Sequence, residues 1–481
     1  MGLQNTADYF DSLRDGRRVY YRGELVEDVV EHPVLGKAIR HAAVDFEMAH
    51  SPEHGDLAVV EGAEPYSRFY HIPQSAADLD LRSQLISEGT RLGGTVVPLI
   101  HEIGSDALFG LLHVAAAMDR EGHAQYLPRI ERFLEEARRH DWALAVAQTD
   151  VKGDRSQGPA AQPDAYVRIV EERVDGIVVR GAKLHTSVSV NANRLIVLPT
   201  RAMKADDASS AVAFATHLNV PGLTMVASPY LGEDHSIWER PLSARHKMIE
   251  TFTWFDDVFI PSDQVFLQGE WEYAGPVARA FVDFHRFTAV SYKLPLLRLI
   301  VGVASLLAKY NGIQRAAHTR ESLASLMMYE ATVRTLIEAS AKKGAMVDPG
   351  VFRPDPQTVN LAKYHFATGL HDAFLRVQDI AGGLLVTGPS EEDWHHPEVG
   401  PVLQHYLGGA FGTSDERVRL MNLATDLVAS DLGMYHLVLA VHAEGSIAAE
   451  KIGFVSAYDV APAEAEVQRL LRTTELVEQS P

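Results

Sequence analysis

The stretch "AQTDVKGDRSQGP", residues 147–159, lies where the sequence changes from a helical to a strand-like pattern. Two aspartates, a lysine and an arginine fall between positions 150 and 155, and Ser-Gln-Gly-Pro follows them. The apolar run "WALAV" at 142–146 comes directly before it. We therefore expect a junction between two domains here, and its charge leaves four possibilities: a solvated turn, a cation site, a phosphate loop or a site for another ligand.

The spacing of these residues argues against two of the four possibilities. A calcium loop needs aspartates at alternate positions and a later glutamate, whereas Asp150 and Asp154 are four positions apart with Lys152 between them. A Walker phosphate loop requires Gly-Lys followed by serine or threonine, and the stretch contains no such triplet. A solvated turn and a site for another ligand remain open.

Three zones of different periodicity make up the chain. Apolar residues recur every three or four positions over residues 8–140, which predicts helices. Short β-branched runs with turn residues fill 149–266, and Asp175-Gly176 separates two of them as in a hairpin. Long helical patterns return over 270–472. The apolar run at 294–310 contains an arginine and is shorter than the ~20 residues of a membrane span, so we predict a core helix.

The composition restricts the classes of protein to which this chain can belong. Its 481 residues, 46% of them apolar, suffice for two or three domains with a large core. A net charge of −20 argues against nucleic-acid binding as the main role. The sequence has no cysteine, which excludes disulfides, thiolate nucleophiles and ordinary iron–sulfur clusters. No apolar signal segment opens the chain, so we expect a cytoplasmic protein that does not bind membranes.

Three segments together resemble the acyl-CoA dehydrogenase-like flavoprotein fold: "LPRIERFLEEARRHDWALAVAQTD" at 127–150, "FDDVFIPSDQVF" at 255–266 and "VQDIAGG" at 377–383. The resemblance implies an α+β fold that is mostly α. Its predicted parts are an N-terminal helical domain over residues 1–147, a central β-barrel-like domain over 148–270 and a C-terminal helical bundle over 271–481.

Four further segments narrow the resemblance: "TDVKGDRS" at 149–156, "DGIVVRGAKLHTS" at 175–187, "HTRESLASLMMYEATV" at 318–333 and "DIAGGLLVTGPSEEDW" at 379–394. They are similar to the 4-hydroxyphenylacetate 3-hydroxylase and 4-hydroxybutyryl-CoA dehydratase family. One branch of that family hydroxylates a phenol with O₂ and reduced FAD from a separate reductase. The other branch acts on a CoA thioester with FAD and a [4Fe–4S] cluster held by three Cys and one His.

The dehydratase pattern is only partly kept in this sequence. Its His and Lys correspond to His285 and Lys293, but Pro98, Glu102 and Tyr292 stand at the three Cys positions. Because the chain has no cysteine anywhere, the family's cluster cannot form. The dehydratase mechanism as the family performs it is therefore excluded, and we expect no metal site.

The hydroxylase pattern is also changed. Its phenol-site motif is Arg-Ser-Pro-Asp-Tyr, and the matching segment at 103–107, "IGSDA", lacks both the Arg and the Tyr. The sequence therefore resembles a diverged member with its own small-molecule substrate.

The resemblance implies contacts of the cofactor FAD with three parts of the chain. The strand end would meet the isoalloxazine ring, the charged residues would reach the ribityl-phosphate part, with Asp154 holding Arg155, and a hydroxyl would lie near flavin N5. A Gly-Gly segment would approach the flavin of a neighbouring subunit, so a homotetramer is expected. The same residues could instead form a charged turn, a strand edge and a helix C-cap. The predicted set is Val146, Ala147, Gln148, Thr149, Lys152, Gly153, Asp154, Arg155, Ser187, Gln378, Gly382 and Gly383.

Three residues are candidate acids or bases. His285 lies among aromatic residues, where a histidine is more commonly a core residue, but the lost cluster frees it from a ligand role. His101 and Glu102 fall where the family places substrate or cluster residues, so they could act as an acid/base or substrate-anchoring pair.

Together these features favour an FAD-dependent monooxygenase, the oxygenase component of a two-component system. It would use FADH₂ from a separate flavin reductase and O₂ to hydroxylate or epoxidise an aromatic or unsaturated substrate. The alternative is a cluster-free, redox-neutral dehydratase or isomerase that acts on a CoA- or carrier-linked acyl group. A non-catalytic flavin-binding scaffold is a third hypothesis.

Overall fold

The computed structural model describes residues 2–151, 153–232 and 235–478, with side chains to residue 472. The N-terminal part is mainly helical, as predicted, and also contains two pairs of short strands. Its elements are α1 (Thr6–Ser12), β1 (Val19–Tyr21), β2 (Glu24–Leu25), α2 (Pro33–Ala42), α3 (Val44–His50), α4 (Gly55–Ala58), β3 (Val59–Val60), β4 (Tyr66–Ser67), α5 (Ala76–Leu92), α6 (Glu102–Arg120) and α7 (Tyr126–His140).

The middle part consists of strands, and the last part is a set of long helices. The strands are β5 (Leu144–Ala147), β6 (Arg168–Arg173), β7 (Gly176–Lys183), β8 (Arg194–Val197), β9 (Val212–His217), β10 (Leu223–Ala227), β11 (Thr251–Pro261) and β12 (Val265–Gln268). The C-terminal elements are α8 (Trp271–Tyr310), α9 (Ala317–Lys342), β13 (Ala345–Val347), β14 (Val351–Arg353), α10 (Pro356–Ala381), α11 (Leu384–Thr387), α12 (Glu391–His395), α13 (Gly400–Tyr406), α14 (Ser414–Val428), α15 (Asp431–His442), α16 (Ile447–Ala457) and α17 (Ala461–Glu478).

The helix that leads into the β-domain is amphipathic and ends at a left-handed residue. In α7 the buried side chains include Ile130, Phe133, Leu134 and Ala137, which recur at helical spacing. Asp141 then adopts φ 49°, and its N–H donates to the carbonyl of Ala137. This cap ends the helix, so that β5 follows directly.

Two sheets form the β-domain. One has the strand order β2-β1-β10-β11-β7-β6 and the other the order β12-β9-β8-β5. The pairs β1/β10 and β5/β8 are parallel. β1 and β2 lie outside the predicted limits of this domain yet belong to its sheet, because a strand of three residues is too short for its period to stand out in a helical zone. The three domain limits themselves stay predictions.

The predicted hairpin is present, with its turn one residue earlier than expected. β6 and β7 pair antiparallel, with Arg173 opposite Gly176, so Val174 and Asp175 form the turn. A Cβ on Gly176 would lie 2.1 Å from the carbonyl oxygen of Ile260 on the next strand. Glycine is therefore required by close packing rather than by the turn.

The predicted core helix is part of α8, which packs against α5, α6, α9 and α10. Of the described residues, α8 and the segment Ser414–Ala457 are long and apolar enough to cross a membrane. However, 67% of the apolar window in α8 is buried within the fold. Burial of this kind is what a core helix requires, so the hydropathy alone is weak evidence for a membrane span.

Candidate active site

A small inner cavity lies between α8, α10, α15 and the segment that precedes α6. Its volume is about 20 Å³, room for a water-sized group before any side chain moves. Apolar groups dominate the wall, and a few polar groups converge on it. The lining residues are Thr95, Val96, Val97, Met248, Tyr292, Lys293, Leu296, Phe366, Tyr435, His436 and Leu439.

A buried ion pair forms the polar centre of this wall. Lys293 Nζ lies 2.7 Å from Glu444 Oε2, and the Tyr292 hydroxyl donates to the other carboxylate oxygen. Burial lowers the pKa of Lys293 to about 8, although Glu444 opposes that shift. Burial alone would raise the pKa of Glu444, but Lys293 and Lys363 lower it to about 2. The pair is therefore charged at neutral pH, with a lysine that can release its proton near that pH.

Local features of α8 place Lys293 at the cavity. Pro295 has no N–H, so the carbonyl of Ser291 loses its helical partner. The hydroxyl of Ser87 on α5 donates to that carbonyl instead, at 2.9 Å. Arg286 lies seven residues before Lys293, two helical turns, and its Nε donates to the Glu444 carbonyl at 3.0 Å. One face of α8 thus holds both the carboxylate and the backbone of Glu444.

Two residues around the cavity have strained backbones. Glu444 adopts φ 56° in the turn between α15 and α16. Thr95, a β-branched residue, adopts φ 78°, and its hydroxyl lies 3.2 Å from His436 Nε2. Such conformations are costly for residues other than glycine and concentrate at functional sites, where surrounding contacts hold them. The strain supports the assignment of this cavity as the candidate active site.

Glu250 connects the cavity to Ser187, one of the predicted flavin residues. The Ser187 hydroxyl donates to Glu250 Oε2 at 2.8 Å, and the Tyr435 hydroxyl lies 3.2 Å from Oε1. Burial raises the pKa of Glu250 to about 7, and the two hydrogen bonds oppose that shift. This carboxyl group can therefore hold or release a proton at neutral pH, between the cavity and the predicted flavin N5 position.

His285 lies on α8, eight residues before Lys293, and is held by an acidic partner. Its Nδ1 is 3.0 Å from Asp106 Oδ2, and its ring stacks on Phe281 with centroids 5.0 Å apart. Asp106 also pairs with Arg82 at 2.7 Å and accepts from Thr288 at 3.0 Å. Donation from Nδ1 leaves Nε2 as the basic nitrogen of the neutral ring. The geometry suits the predicted acid/base role, which stays a prediction.

His101 and Glu102 lie in a different environment, a buried ionic cluster at the start of α6. His101 Nδ1 is 3.1 Å from Asp45, and Nε2 is 3.3 Å from Asp141. Burial lowers the pKa of His101, but the two aspartates raise it to about 10. Burial raises the pKa of Glu102 well above its usual range, and Asp45 adds to that shift. Both residues are at most 1% exposed and neither lines the inner cavity. Their catalytic role stays a prediction, and these contacts favour a structural one.

The predicted flavin junction begins at an edge strand. β5 is the last strand of its sheet, so one row of its backbone groups lies outside the ladder. Val146 and Ala147 are buried, with 4% and 0% exposure. Gln148 and Thr149 are half-buried, so these two are the members of the strand end that reach the surface of the fold.

An internal ion pair fixes the junction to the β-domain. Asp150 Oδ1 lies 2.8 Å from Lys183 Nζ, and both side chains are 2% exposed. The same carboxylate accepts from the N–H of Val167 at 3.0 Å and from the hydroxyl of Thr200. Asp150 is therefore a structural residue of this junction.

The predicted pairing of Asp154 with Arg155 is wrong. The Asp154 carboxylate accepts from the N–H and hydroxyl of Ser156, at 3.0 and 2.8 Å, and from the Gln157 side chain at 3.0 Å. Arg155 and Gly153 are exposed, and Gly153 adopts φ 46°. Lys152 lies outside the described residues.

Gln378, Gly382 and Gly383 lie at the exposed C-terminal end of α10. Gln378 donates to the carbonyl of Val428 at 2.7 Å. Gly382 adopts φ 75° and caps the helix, and a Cβ on either glycine would meet nothing within 4 Å of this chain. The glycines are thus open to a group from outside the chain, which fits the predicted contact with a neighbouring subunit's flavin.

The chemistry of these residues fits FAD. The hydroxyl of Thr186 is buried and has no hydrogen-bond partner among the described residues, directly beside Ser187. Arg155 offers a guanidinium suited to a diphosphate. The open glycines leave room for a flat ring. Among the described residues, no group of three or more His, Cys, Asp or Glu side chains could hold a metal ion.

Several residues of the site could not be singled out from the sequence. Glu250, Tyr435 and His436 belong to no motif, and their roles depend on elements far apart in the chain. Glu444 stands in "HAEGS" at 442–446, and an acidic residue immediately before a glycine is the only signal that the sequence offers for it. Asp106 was recognisable only as the Asp of a changed motif.

Comparison with known proteins matches nearly the whole chain to one family. Residues 5–267 match the model described as 4-hydroxyphenylacetate 3-hydroxylase N terminal, and residues 274–472 match the corresponding C-terminal model. One relative, 4-hydroxybutyryl-CoA dehydratase/vinylacetyl-CoA-Delta-isomerase of Clostridium aminobutyricum, is 30% identical over 94% of this chain and 95% of its own.

A second relative and a solved structure represent the oxygenase branch. The 4-hydroxyphenylacetate 3-monooxygenase oxygenase component of Thermus thermophilus is 28% identical over 89% of each chain. A crystal structure of such an oxygenase component with FAD and 4-hydroxyphenylacetate superposes with a TM-score of 0.91 and 25% identity, over 99% of this chain and 100% of the other. The predicted fold class is thereby confirmed.

Proposed function

Because the chain belongs to the 4-hydroxyphenylacetate 3-hydroxylase family of flavin-dependent oxidoreductases, we propose that it is the oxygenase component of a two-component monooxygenase. It would take FADH₂ from a separate flavin reductase and use O₂ to hydroxylate or epoxidise an aromatic or unsaturated substrate. When bound, FADH₂ supplies the electrons for the activation of O₂.

The observation that carries this proposal is the connection from Ser187 through Glu250 to the inner cavity. A carboxyl group whose pKa is raised to about 7 stands between a predicted flavin contact and an apolar, water-poor space. Glu250 would hold or accept a proton at its carboxylate while Ser187 keeps it oriented. The apolar wall, which includes Phe366 and Leu296, would exclude water from the reacting substrate.

The charged residues of α8 have a positioning role in the proposal. Lys293 is held by Glu444 at the cavity wall and can donate a hydrogen bond or a proton to an anionic substrate oxygen. His285, fixed by Asp106, offers a proton acceptor on the same helix, and it is not among the residues that line the inner cavity. Neither residue is the phenol-binding Arg or Tyr of the hydroxylase motif, so the substrate is expected to differ from a simple phenol.

The experiment separates oxygen-dependent from oxygen-independent chemistry. The purified protein is mixed with chemically reduced FAD and ¹⁸O₂ in the presence of a panel of substituted phenols, other aromatic compounds and unsaturated compounds, and products are analysed by mass spectrometry. Incorporation of one ¹⁸O atom supports the proposal. Protein that binds reduced FAD, yet yields no labelled product and leaves the rate of FADH₂ oxidation by O₂ unchanged, contradicts it.

A second candidate is a redox-neutral dehydratase or isomerase that acts on a CoA- or carrier-linked acyl group. It is favoured by the retained His285 and Lys293 and by the ionisable lysine at the cavity wall. This candidate requires turnover of 4-hydroxybutyryl-CoA or a related thioester without O₂. Anaerobic incubation with oxidised and with reduced FAD tests it, and an absolute requirement for O₂ would exclude it.

We also propose a homotetramer in the cytoplasm. The C-terminal helices expose large apolar side chains, among them Leu375, Val386 and Tyr406 at 62–77%. Contact between chains would cover such side chains. The absence of cysteine suits a reducing compartment. Analytical ultracentrifugation of the FAD complex measures the assembly, and fractionation of the native cells measures the location.

A further inference from the structure

Behind the wall of the inner cavity, a second buried ion pair joins α10 to α16. Lys363 Nζ lies 3.0 Å from Glu450 Oε1, and both side chains are 0% exposed. Neither residue lines the inner cavity. Buried ion pairs seldom add net stability, because the loss of hydration offsets the attraction between the charges. The position of this pair beside the candidate active site therefore points to a role other than stability.

Glu450 is an exception within its own helix. The structure describes all of α16, and Glu450 is the only buried side chain in it. Later residues of the helix, such as Ile452 and Val455, are 71% and 74% exposed. The Glu450 carboxylate accepts from Lys363 through Oε1, whereas Oε2 has no hydrogen-bond partner among the described residues. The side chain that α16 buries against α10 is therefore a charged one.

Lys363 also lies near Glu444. Its Nζ is 3.9 Å from Glu444 Oε2, the oxygen that Lys293 contacts at 2.7 Å. Two acceptors hold the Lys363 ammonium group at closer range, Glu450 Oε1 at 3.0 Å and the carbonyl of Ala440 on α15 at 2.8 Å. These contacts keep Lys363 beyond hydrogen-bond length from Glu444, so Lys293 is the lysine that donates to it.

A line of hydrogen bonds also fixes the backbone around Glu444. Asn360 on α10 donates to the carbonyl of Glu450 at 2.5 Å and accepts from Arg286 Nη1 at 2.9 Å. Arg286 in turn donates to the carbonyl of Glu444, which adopts φ 56°. The docking of α16 on α10 is therefore connected to the position of Glu444 through both side-chain and backbone contacts.

The ionisable groups around Lys293 and Glu444 come from several elements. They are His285 and Tyr292 on α8, Glu250 before β11, Lys363 on α10, Tyr435 and His436 on α15, and Glu450 on α16. Burial raises the pKa of both phenols and lowers that of His436 to about 4, so these three groups are neutral at pH 7. Glu450 raises the pKa of Lys293, and Lys363 lowers it. Because the two effects oppose each other, the loss of one charge shifts the protonation of Lys293.

We propose that Lys363 and Glu450 are positioning residues for Lys293: the Glu450 carboxylate retains Lys363, so that Glu444 remains the partner of Lys293 and keeps its ammonium group charged at the cavity wall. The inference rests on the proposed function, in which Lys293 donates a hydrogen bond or a proton to the substrate. Without the charge of Glu450, Lys363 would turn to Glu444 Oε2 and compete for it. Lys293 would then release its proton at lower pH.

The protonation of Lys293 can be measured without turnover. Cyanate is a small probe that carbamylates the uncharged form of a lysine amine. The purified protein is exposed to cyanate between pH 6 and pH 9, and peptide mass spectrometry gives the rate of reaction at Lys293. The exposed Lys343 in the same protein serves as the internal reference.

Two variants separate a positioning role from a structural one. Glu450→Gln should accelerate the carbamylation of Lys293 at pH 6 by about tenfold, because a fall of about one unit in its pKa raises the uncharged fraction by that factor. Lys363→Met/Glu450→Gln removes both charges of the pair, so its rate should return to within about twofold of wild type. A fold that was merely loosened would instead expose Lys293 more in the double variant than in the single one.

The matched control is Asp150→Asn, which also breaks a buried ion pair, with Lys183, but in the β-domain. It should leave the rate at Lys293 unchanged. If Glu450→Gln does not accumulate as folded protein, Glu450→Asp replaces it. This variant retains the charge at a shorter reach, so the reaction should accelerate by only about threefold.

Three results overturn the inference. They are an unchanged rate at Lys293 in the Glu450 variant, a rate in the double variant as high as in Glu450→Gln, and a wild-type Lys293 that reacts at no pH although Lys343 does. The last result would mean that the Lys293 amine is not available at the cavity wall. None of these measurements involves O₂ or turnover, so they are independent of the oxygen-labelling test of the proposed function.

Discussion

Lys293 and Glu444 form a charge-assisted hydrogen bond where their side chains are only 4% and 2% exposed. Removal of Lys293 leaves Glu444 with the more distant Lys363, at 3.9 Å, and removal of Glu444 leaves Lys293 in the core without its carboxylate; loss of a buried ion-pair partner typically costs about 3 kcal/mol or more. We therefore expect Lys293→Met and Glu444→Gln each to lower the free energy of unfolding by about 3 kcal/mol. The decrease in the free energy of unfolding of the double variant should be smaller than the sum of the decreases in the two single variants.

Urea denaturation of the four proteins in this cycle gives the coupling energy. The exposed pair Arg139–Glu135 serves as a control, and Arg139→Met should change stability by less than about 1 kcal/mol. Strict additivity of the Lys293 and Glu444 effects would show that the pair is not coupled.

Glu250 should make stability depend on pH. Its pKa is raised to about 7 in the folded protein, above its ordinary value of 4.5. The folded state therefore holds this proton more tightly, and the associated stability is present below pH 4.5 and lost as pH rises through 7. Glu250→Gln removes this loss. Between pH 5 and pH 8, the free energy of unfolding of the variant should rise by on the order of 3 kcal/mol relative to that of the wild type.

Denaturant titrations at half-unit pH intervals measure that difference. Glu171→Gln, which changes an exposed carboxylate paired with Arg173, is the matched control and should follow the wild-type curve. Parallel curves for wild type and Glu250→Gln would mean that the Glu250 carboxyl group is not perturbed.

His101 provides a test between a structural and a catalytic role. His101→Gln leaves Asp45 and Asp141 in the core without their cationic partner, so we expect a loss of about 3–5 kcal/mol in stability. Turnover per folded molecule should stay within about twofold of wild type, since no contact joins His101 to the inner cavity. Thermal denaturation and single-turnover rates measure the two quantities. A variant of unchanged stability that has lost turnover would instead support the predicted catalytic role.

At the scale of elements, the junction between α7 and the β-domain depends on one of its two aspartates more than on the other. Asp150 is buried and paired with Lys183, whereas Asp154 is exposed in the turn. Asp150→Asn should lower the free energy of unfolding by about 3 kcal/mol. Asp154→Asn should lower it by less than about 1 kcal/mol. Guanidinium denaturation of the flavin-free protein compares them, and equal effects would contradict the assignment.

The same junction shows which structural features could be predicted from the sequence and which depend on tertiary contacts. The apolar run at 142–146 and the charged residues after it were enough to predict a junction between two domains, and the family resemblance implied the strand end there. The partner of each charge was not predictable. Asp154 was assigned to Arg155 by proximity in sequence, but Ser156 and Gln157 fill its oxygens because the turn brings them nearer.

At the scale of the whole molecule, a substitution of Gly383 tests whether the end of α10 contacts a neighbouring chain or the flavin bound to that chain. Its φ of −64° is ordinary, and a Cβ would meet nothing within 4 Å of this chain. Gly383→Leu should therefore leave the folding of a single chain intact and weaken assembly or FAD binding by about tenfold or more through steric overlap. Ultracentrifugation and FAD titration measure both.

The matched control for this substitution lies in α8. Gly302 lies within α8 and, like Gly383, it is exposed and has nothing within 4 Å of an added Cβ, but it is outside the predicted cofactor set. Gly302→Leu should change neither assembly nor FAD affinity. Unchanged assembly and affinity in Gly383→Leu would remove the support for a site completed by a neighbouring subunit.

The sequence by itself determined the order of the helical, β and helical parts, the hairpin, and the family to which the chain is similar. These follow from periodicity and from motifs that are continuous in the chain. The absence of cysteine also excluded a cysteine-ligated cluster without any structure. These features can be predicted from the sequence because each depends on residues that are neighbours along the chain.

Only the tertiary structure decided which charged groups meet at the candidate site. Glu250, Lys293, Tyr435 and Glu444 come from positions up to about two hundred residues apart. Whether each is buried, and therefore how its pKa shifts, depends on the packing of several helices around it. The same holds for His101: its contacts with Asp45 and Asp141, which favour a structural role, join residues that are far apart in the chain. Burial and charge pairing are properties of three-dimensional neighbours, which the linear sequence does not specify.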